Sequence, residues 1–139
     1  MALGELIGEG RGKIKGQRVL DVVGPKIESS YTMDGKYSGE DCTEIGTYCT
    51  VMKHGEVGVM HGEGQGIITN KDGQGMATWT GHGIGRFTSP GKISFRGSLF
   101  FSAPSASGGK LSSLNNLVGV FEFEVDEQGN SSAKVWEWK

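Results

Sequence analysis

The chain predicts an all-β fold, a single closed antiparallel barrel of about eight strands spanning residues 1–139, and three observations carry that expectation. Glycine supplies 25 of 139 residues, against a usual share of about 7%. It recurs at every second place in Gly62-Glu63-Gly64-Gln65-Gly66 and again in Gly81-His82-Gly83-Ile84-Gly85. Short runs alternating apolar and polar residues fill much of the remainder, separated by Gly, Asn, Asp and Pro, and almost no helical periodicity appears. Successive residues of a strand face opposite sides, so glycine at every second position empties one face of the sheet.

The strands are expected as follows. Residues 3–14 form the first, with Gly8, Gly10 and Gly12 as a smaller ladder, and Gln17–Val23 a short second one stopped by Gly24-Pro25. Ile27–Met33 and Lys36–Met52 flank Asp34-Gly35, a strong hairpin signal. Further strands are expected at 55–69, 74–88, 92–103, 115–126 and 130–138, giving eight or nine. The one long break, Pro104–Asn116, is a Ser/Gly-rich stretch with room for a turn of helix or a loop over a barrel mouth.

Turn chemistry then assigns faces. Asn70-Lys71-Asp72-Gly73-Gln74 fits a three-residue loop pairing Asn70 with Gln74, and Pro90-Gly91 fits a two-residue turn pairing Ser89 with Lys92. The inner face on this reading carries Met76, Thr78, Thr80, His82, Ile84 and Arg86. They lie opposite Gly58, Met60, Gly62, Gly64 and Gly66 and beside Ile93, Phe95, Gly97, Leu99 and Phe101. A two-residue loop at His54-Gly55 would add Thr43, Ile45, Thr47, Cys49 and Val51. The expected consequence is a cavity emptied by Gly62 and Gly64, walled by Ile84, Phe95, Leu99 and Phe101, and anchored by Thr78, Thr80, His82 and Arg86. A packed core is the alternative, with neighbouring rings filling the space above the glycines.

Several function classes are disfavoured. A net charge of −2 argues against a dedicated nucleic-acid binder. No stretch of 18 apolar residues spans a membrane, the first residues lack a secretion signal, and no membrane partner is expected. Cys42 and Cys49, seven apart, fall on opposite faces of one strand and read as free thiols in a reducing cytoplasm. No dinucleotide or phosphate loop, metal-ligand spacing or nucleophile elbow occurs, so neither metal nor cofactor is expected. Glu9, Glu44 and Glu63 are candidate proton donors by residue type, and the solvated face is the reading preferred for each. The leading function is therefore binding of a small, partly apolar, possibly anionic molecule. An isomerase, cyclase or hydrolase is the second class, with His82 as acid or base and Arg86 holding the substrate. A structural barrel with a filled core is the third.

The ladder Gly62–Gly66, Trp79-Thr80-Gly81 and the closing Val135-Trp136-Glu137-Trp138 resemble small prokaryotic barrels of the allene oxide cyclase-like and lipocalin-like group. The resemblance implies a ligand pocket in a barrel and brings no catalytic motif with it. At the C-terminus, Glu127-Gln128-Gly129 fits a turn pairing Asp126 with Asn130. Phe121, Phe123 and Val125 then face inward with Ala133 and Val135, Glu122 lies opposite Lys134, and Val118, Val120, Trp136 and Trp138 share the outer face. Two tryptophans and two valines facing water predict a homo-oligomer with these residues at its interface.

Overall fold

The computed structural model describes residues 3–52, 57–104 and 109–139. Eight strands run β1 (Leu3–Asp21), β2 (Lys26–Tyr37), β3 (Glu40–Met52), β4 (Val59–Asn70), β5 (Met76–Ser89), β6 (Lys92–Ser102), β7 (Val118–Val125) and β8 (Asn130–Trp138). Each pairs antiparallel with its sequence neighbour, and β8 returns to β1, so the barrel closes in simple up-and-down order. Closure removes the free sheet edges along most of the barrel wall, and residues 15–21 of β1 pair with β2 alone.

Eight strands appear, and not nine, because residues 3–14 and 17–23 largely form one strand. A register shift between Ile14 and Gly16 lets β1 bend there without ending. Asp34-Gly35 is not a hairpin. The β2–β3 turn is Ser38-Gly39, where both residues have positive φ (52° and 77°) and Tyr37 pairs with Glu40. This is the two-residue turn whose twist suits adjoining strands. Gly35 serves instead at a close approach of β2 to β1, where a Cβ would strike the Glu9 carbonyl.

The second correction concerns β5. Gly73 does occupy the left-handed region (φ 75°), but the loop closes on Gly75: Asn70 N–H donates to the Gly75 carbonyl at 3.2 Å. The buried Asn70 side chain accepts the Gly75 N–H at 2.9 Å, lengthening the loop by one residue. At the other end, Ser89 pairs with Lys92 as expected, yet a bulge between Phe87 and Ser89 shifts the register again. The two shifts cancel beyond β5. Hence β4 keeps Gly62, Gly64 and Gly66 inside and β6 keeps Phe95, Leu99 and Phe101 inside, while β5 alone is reversed. Ala77, Trp79, Gly81, Gly83 and Gly85 face inward, and Met76, Thr78, Thr80, His82, Ile84 and Arg86 face outward.

β3 is reversed as well. Cys42 pairs with Asn70 and Met52 with Met60, so Cys42, Glu44, Gly46, Tyr48 and Thr50 point inward and Thr43, Ile45, Thr47, Cys49 and Val51 outward. The expected His54-Gly55 loop lies outside the described residues. Cys42 and Cys49 occupy opposite faces and are free. The C-terminal turn and strand pairing are as expected: Asp126 N–H donates to Asn130 O at 3.0 Å, and Phe121–Val135, Phe123–Ala133, Glu122–Lys134 and Val120–Trp136 are opposed.

One barrel end is sealed. A short 3₁₀ turn, Leu111–Leu114, places both leucines fully out of water beside Ile68, Ala77 and Cys42. It is fastened by Lys110 N–H to Glu40 Oε2 (2.7 Å) and a Ser38–Ser113 hydroxyl contact (2.9 Å). Residues 109–116 thus act as a plug, as a loop over a barrel mouth would.

Candidate functional site

The barrel interior contains one carboxylate among the described inward residues, and it is Glu44, 6% exposed. Three neutral donors converge on it. Tyr31 Oη donates to Oε2 at 2.6 Å, Trp79 Nε1 donates to the same oxygen at 3.1 Å, and Tyr37 Oη donates to Oε1 at 2.7 Å. A carboxylate offers about four acceptor sites, so this group is close to saturated without any cation. The register explains the meeting: Met33 pairs with Glu44 across β2–β3, which puts Tyr31 and Tyr37 on either side of it on the same face.

The glycines seat the donors. A Cβ at Gly8 would run into the Tyr37 ring, one at Gly46 into the Tyr31 ring, and one at Gly66 into the Trp79 indole. Each donor ring lies over a glycine of an adjacent strand, as aromatic side chains do when they cover gaps in a sheet. Gly8 on β1, Gly46 on β3 and Gly66 on β4 therefore hold the rings that hold Glu44. Part of the face that the ladders vacate is filled by neighbouring rings.

Another part is not. A cavity of about 60 Å³ remains beside Glu44, walled by the backbone of Gly62, Gly64, Gly81 and Gly83 and by aromatic rings. Tyr31, Tyr48, Phe95 and Phe123 form that aromatic wall, with ring centroids 5.3 to 6.2 Å apart in tilted or edge-on contacts. A Cβ on Gly62 would meet the Cys49 carbonyl, Thr50 and Phe95 at 3.5–3.7 Å, ordinary van der Waals contact, so a methyl fits there without displacing a ring.

Burial dominates the electrostatics. Loss of water raises the Glu44 pKa above the ordinary carboxyl value, and the three hydrogen bonds only partly oppose it. Tyr31 and Tyr37 are held well above the usual phenol range, first by burial and then by the Glu44 charge. Tyr48 is pushed up to about 12 by burial, with a Ser29 hydrogen bond pulling the other way. The chemistry available inside is one buried carboxyl, which holds its proton to higher pH than it would in water, and phenol hydroxyls.

The residues expected from sequence divide sharply. Phe95, Leu99, Gly62 and Gly64 line the cavity, and Phe101 is buried below it against Tyr37. Thr78, Thr80, Ile84, His82 and Arg86 stand on the outer wall. His82 is paired there with Glu63 (Nε2–Oε2 3.8 Å), both side chains more than 70% exposed. His82 borders the cavity between Gly81 and Gly83 with its side chain turned to the exposed outer wall, and Arg86 does not border it, so the described inward residues carry none of the positive charge assigned to them. No group of metal-ligating residues occurs among the described residues. Sequence reasoning missed Glu44, Tyr31, Tyr37 and Trp79. The signal that finds them is Ser38-Gly39, which, read as the hairpin, sets Glu44 between the two tyrosines.

No family model matches the chain, and no curated protein matches it. Among solved structures, it is similar to a conserved protein of unknown function from Rhodopseudomonas palustris, with a TM-score of 0.72 at 14% identity. The match covers 99% of this chain and 98% of that one. At this identity the likeness concerns the fold alone.

Proposed function

We propose that the barrel binds a small, largely apolar molecule carrying one hydrogen-bond donor or positive charge, with that head on Glu44. The observation behind the reading is a buried carboxyl facing a glycine-walled, ring-lined cavity with no side-chain cation among the described inward residues. A cationic head on an aromatic wall gains from the ring quadrupoles as well as from the carboxylate. An anionic ligand, the expectation built on Arg86 and His82, loses its support because both stand outside. Binding of a cation would draw the proton off Glu44, so affinity should rise with pH. The allene oxide cyclase-like and lipocalin-like barrels that the sequence resembles offer the same kind of interior, and that likeness supports a pocket without naming a ligand.

The test is a fragment set of methylammonium, benzylamine, benzoate and toluene, followed by the Trp79 indole resonance. Amines should shift it saturably, benzoate should not, and Gly62→Leu should abolish the effect by filling the cavity while the fold persists. The proposal fails if none of the fragments shifts Trp79, or if benzoate is preferred. An enzymatic reading rests on the buried Glu44 carboxyl at the cavity, whose raised pKa moves it toward a proton donor. It would place the acid–base role on Glu44 in place of His82.

We further propose that Leu3, Leu6, Phe100, Val118, Val120, Trp136 and Trp138 contact a second copy of the chain. Leu3 pairs with Trp138, Leu6 with Trp136 and Phe100 with Val118, so they make one outer strip across four strands. Leu3, Leu6, Phe100 and Trp138 are each exposed by 44–54%.

A further inference from the structure

At the barrel end opposite the leucine plug, the β1–β2 hairpin reaches past β8, while β3 stays paired alongside it as far as Lys26–Val51. β1 pairs with β8 only as far as Lys13, whereas its pairing with β2 continues to Asp21–Lys26. Residues 15–21 thus extend by roughly 20 Å of strand with no partner on the β8 side. At the tip stand Val19, Leu20, Val22 and Val23, exposed by 62%, 39%, 84% and 79%. The turn is built and not loose, since Val23 N–H donates to Asp21 Oδ1 at 2.9 Å. Val57 and Phe87 add two more exposed apolar side chains at the same rim.

The stem is basic. Residues 11–26 contain Arg11, Lys13, Lys15, Arg18 and Lys26 against Asp21 alone, a net +4 in a chain of net −2. The remaining residues therefore carry −6. Arg18 pairs with Glu28 at 3.5 Å, and Lys13 and Lys15 make no ion pair among the described residues. An aliphatic tip on a cationic stem is the arrangement by which a protein inserts into the interfacial layer of an anionic membrane: the apolar tip enters, and the cations meet the headgroups. We propose that this hairpin docks the barrel, tip first, on an anionic lipid surface.

The other occupants fit less well. Antiparallel pairing of two copies along the free β1 edge would bring Lys13, Lys15 and Arg18 against their own likes, and the bulge at Lys15 already blunts that edge. A nucleic acid would use the cations and leave the valines in water. Absence of a spanning segment, on which the expectation of no membrane partner rested, does not bear on surface docking.

The test is co-sedimentation of the intact chain with vesicles of equal parts phosphatidylcholine and phosphatidylserine, and with phosphatidylcholine alone. Wild type should bind the mixed vesicles, release as salt rises, and ignore the neutral ones. Lys13→Gln with Lys15→Gln should weaken binding about 25-fold, fivefold per charge. Val22→Asp with Val23→Asp should abolish it. Both pairs lie on solvated positions, and the lysine pair keeps the test available if the valine pair misfolds. Absent binding, equal binding to both vesicles, or variants that bind like wild type would overturn the proposal. So would sedimentation equilibrium without lipid showing an oligomer that Val22→Asp with Val23→Asp dissolves, for the occupant would then be a second copy.

Discussion

Glu44→Gln tests the site most directly, because the substitution keeps shape and removes the charge. Glu44 is 6% exposed and accepts three hydrogen bonds. Bonds to a charged acceptor contribute about 1.5–3 kcal/mol each, so together they offset roughly 5–9 kcal/mol of a desolvation cost of the same order. Burial prevails, since the folded pKa is raised. The folded carboxyl therefore keeps its proton to higher pH than the unfolded one does. Its stabilising contribution is complete below the unfolded pKa and is lost as pH rises through the folded value.

Glutamine never ionises and suffers no such loss. At low pH the two chains should differ by only about 1 kcal/mol, the cost of turning the Tyr37 hydroxyl to accept from the new amide. As pH rises, the difference should move in favour of Gln by about 1.4 kcal/mol for each unit by which the Glu44 pKa is raised. Urea unfolding followed by tryptophan fluorescence between about pH 4 and pH 8 measures it, and contributions from other groups cancel between the two chains. A difference that stays flat, or that moves in favour of Glu, would refute the reasoning.

Gly66→Ala should cost about 2–4 kcal/mol by driving the Trp79 indole off Glu44, whereas Gly62→Ala, whose methyl meets only ordinary van der Waals contacts, should cost under about 1 kcal/mol; equal unfolding midpoints would show that rings do not need these seats. All three tyrosines of the chain have raised pKa values, so their stabilising effect is present up to the ordinary phenol value and lost as pH rises through the folded ones. Tyrosinate absorbance should accordingly appear together with unfolding above about pH 10, and an independent titration of the folded barrel would contradict it. Light scattering should find a dimer or larger that Trp138→Glu converts to a folded monomer; a wild-type monomer at high concentration would remove Trp136 and Trp138 from any interface.

The barrel itself was legible from local chemistry. Alternation, glycine repeats and turn residues act over a few positions, and a chain with eight or nine such strands and no helical period has few ways to hide its edges. The faces of β4, β6, β7 and β8 were legible too, because Asp126–Asn130 closes as its residues dictate and the two errors beside β5 cancel. Side-chain direction on β3 and β5 was not. It depends on the count of residues between paired strands, and one extra residue reverses a whole strand. At Asn70 that residue was added by a buried side chain accepting the Gly75 N–H, and at Phe87–Ser89 by a bulge, neither of which has a local signature. Glu44 shows the consequence. As a lone acidic residue in an alternating strand it belongs in water, and only closure of the barrel, which brings β2, β3 and β5 around one point, supplies the two phenols and the indole that let it stay inside.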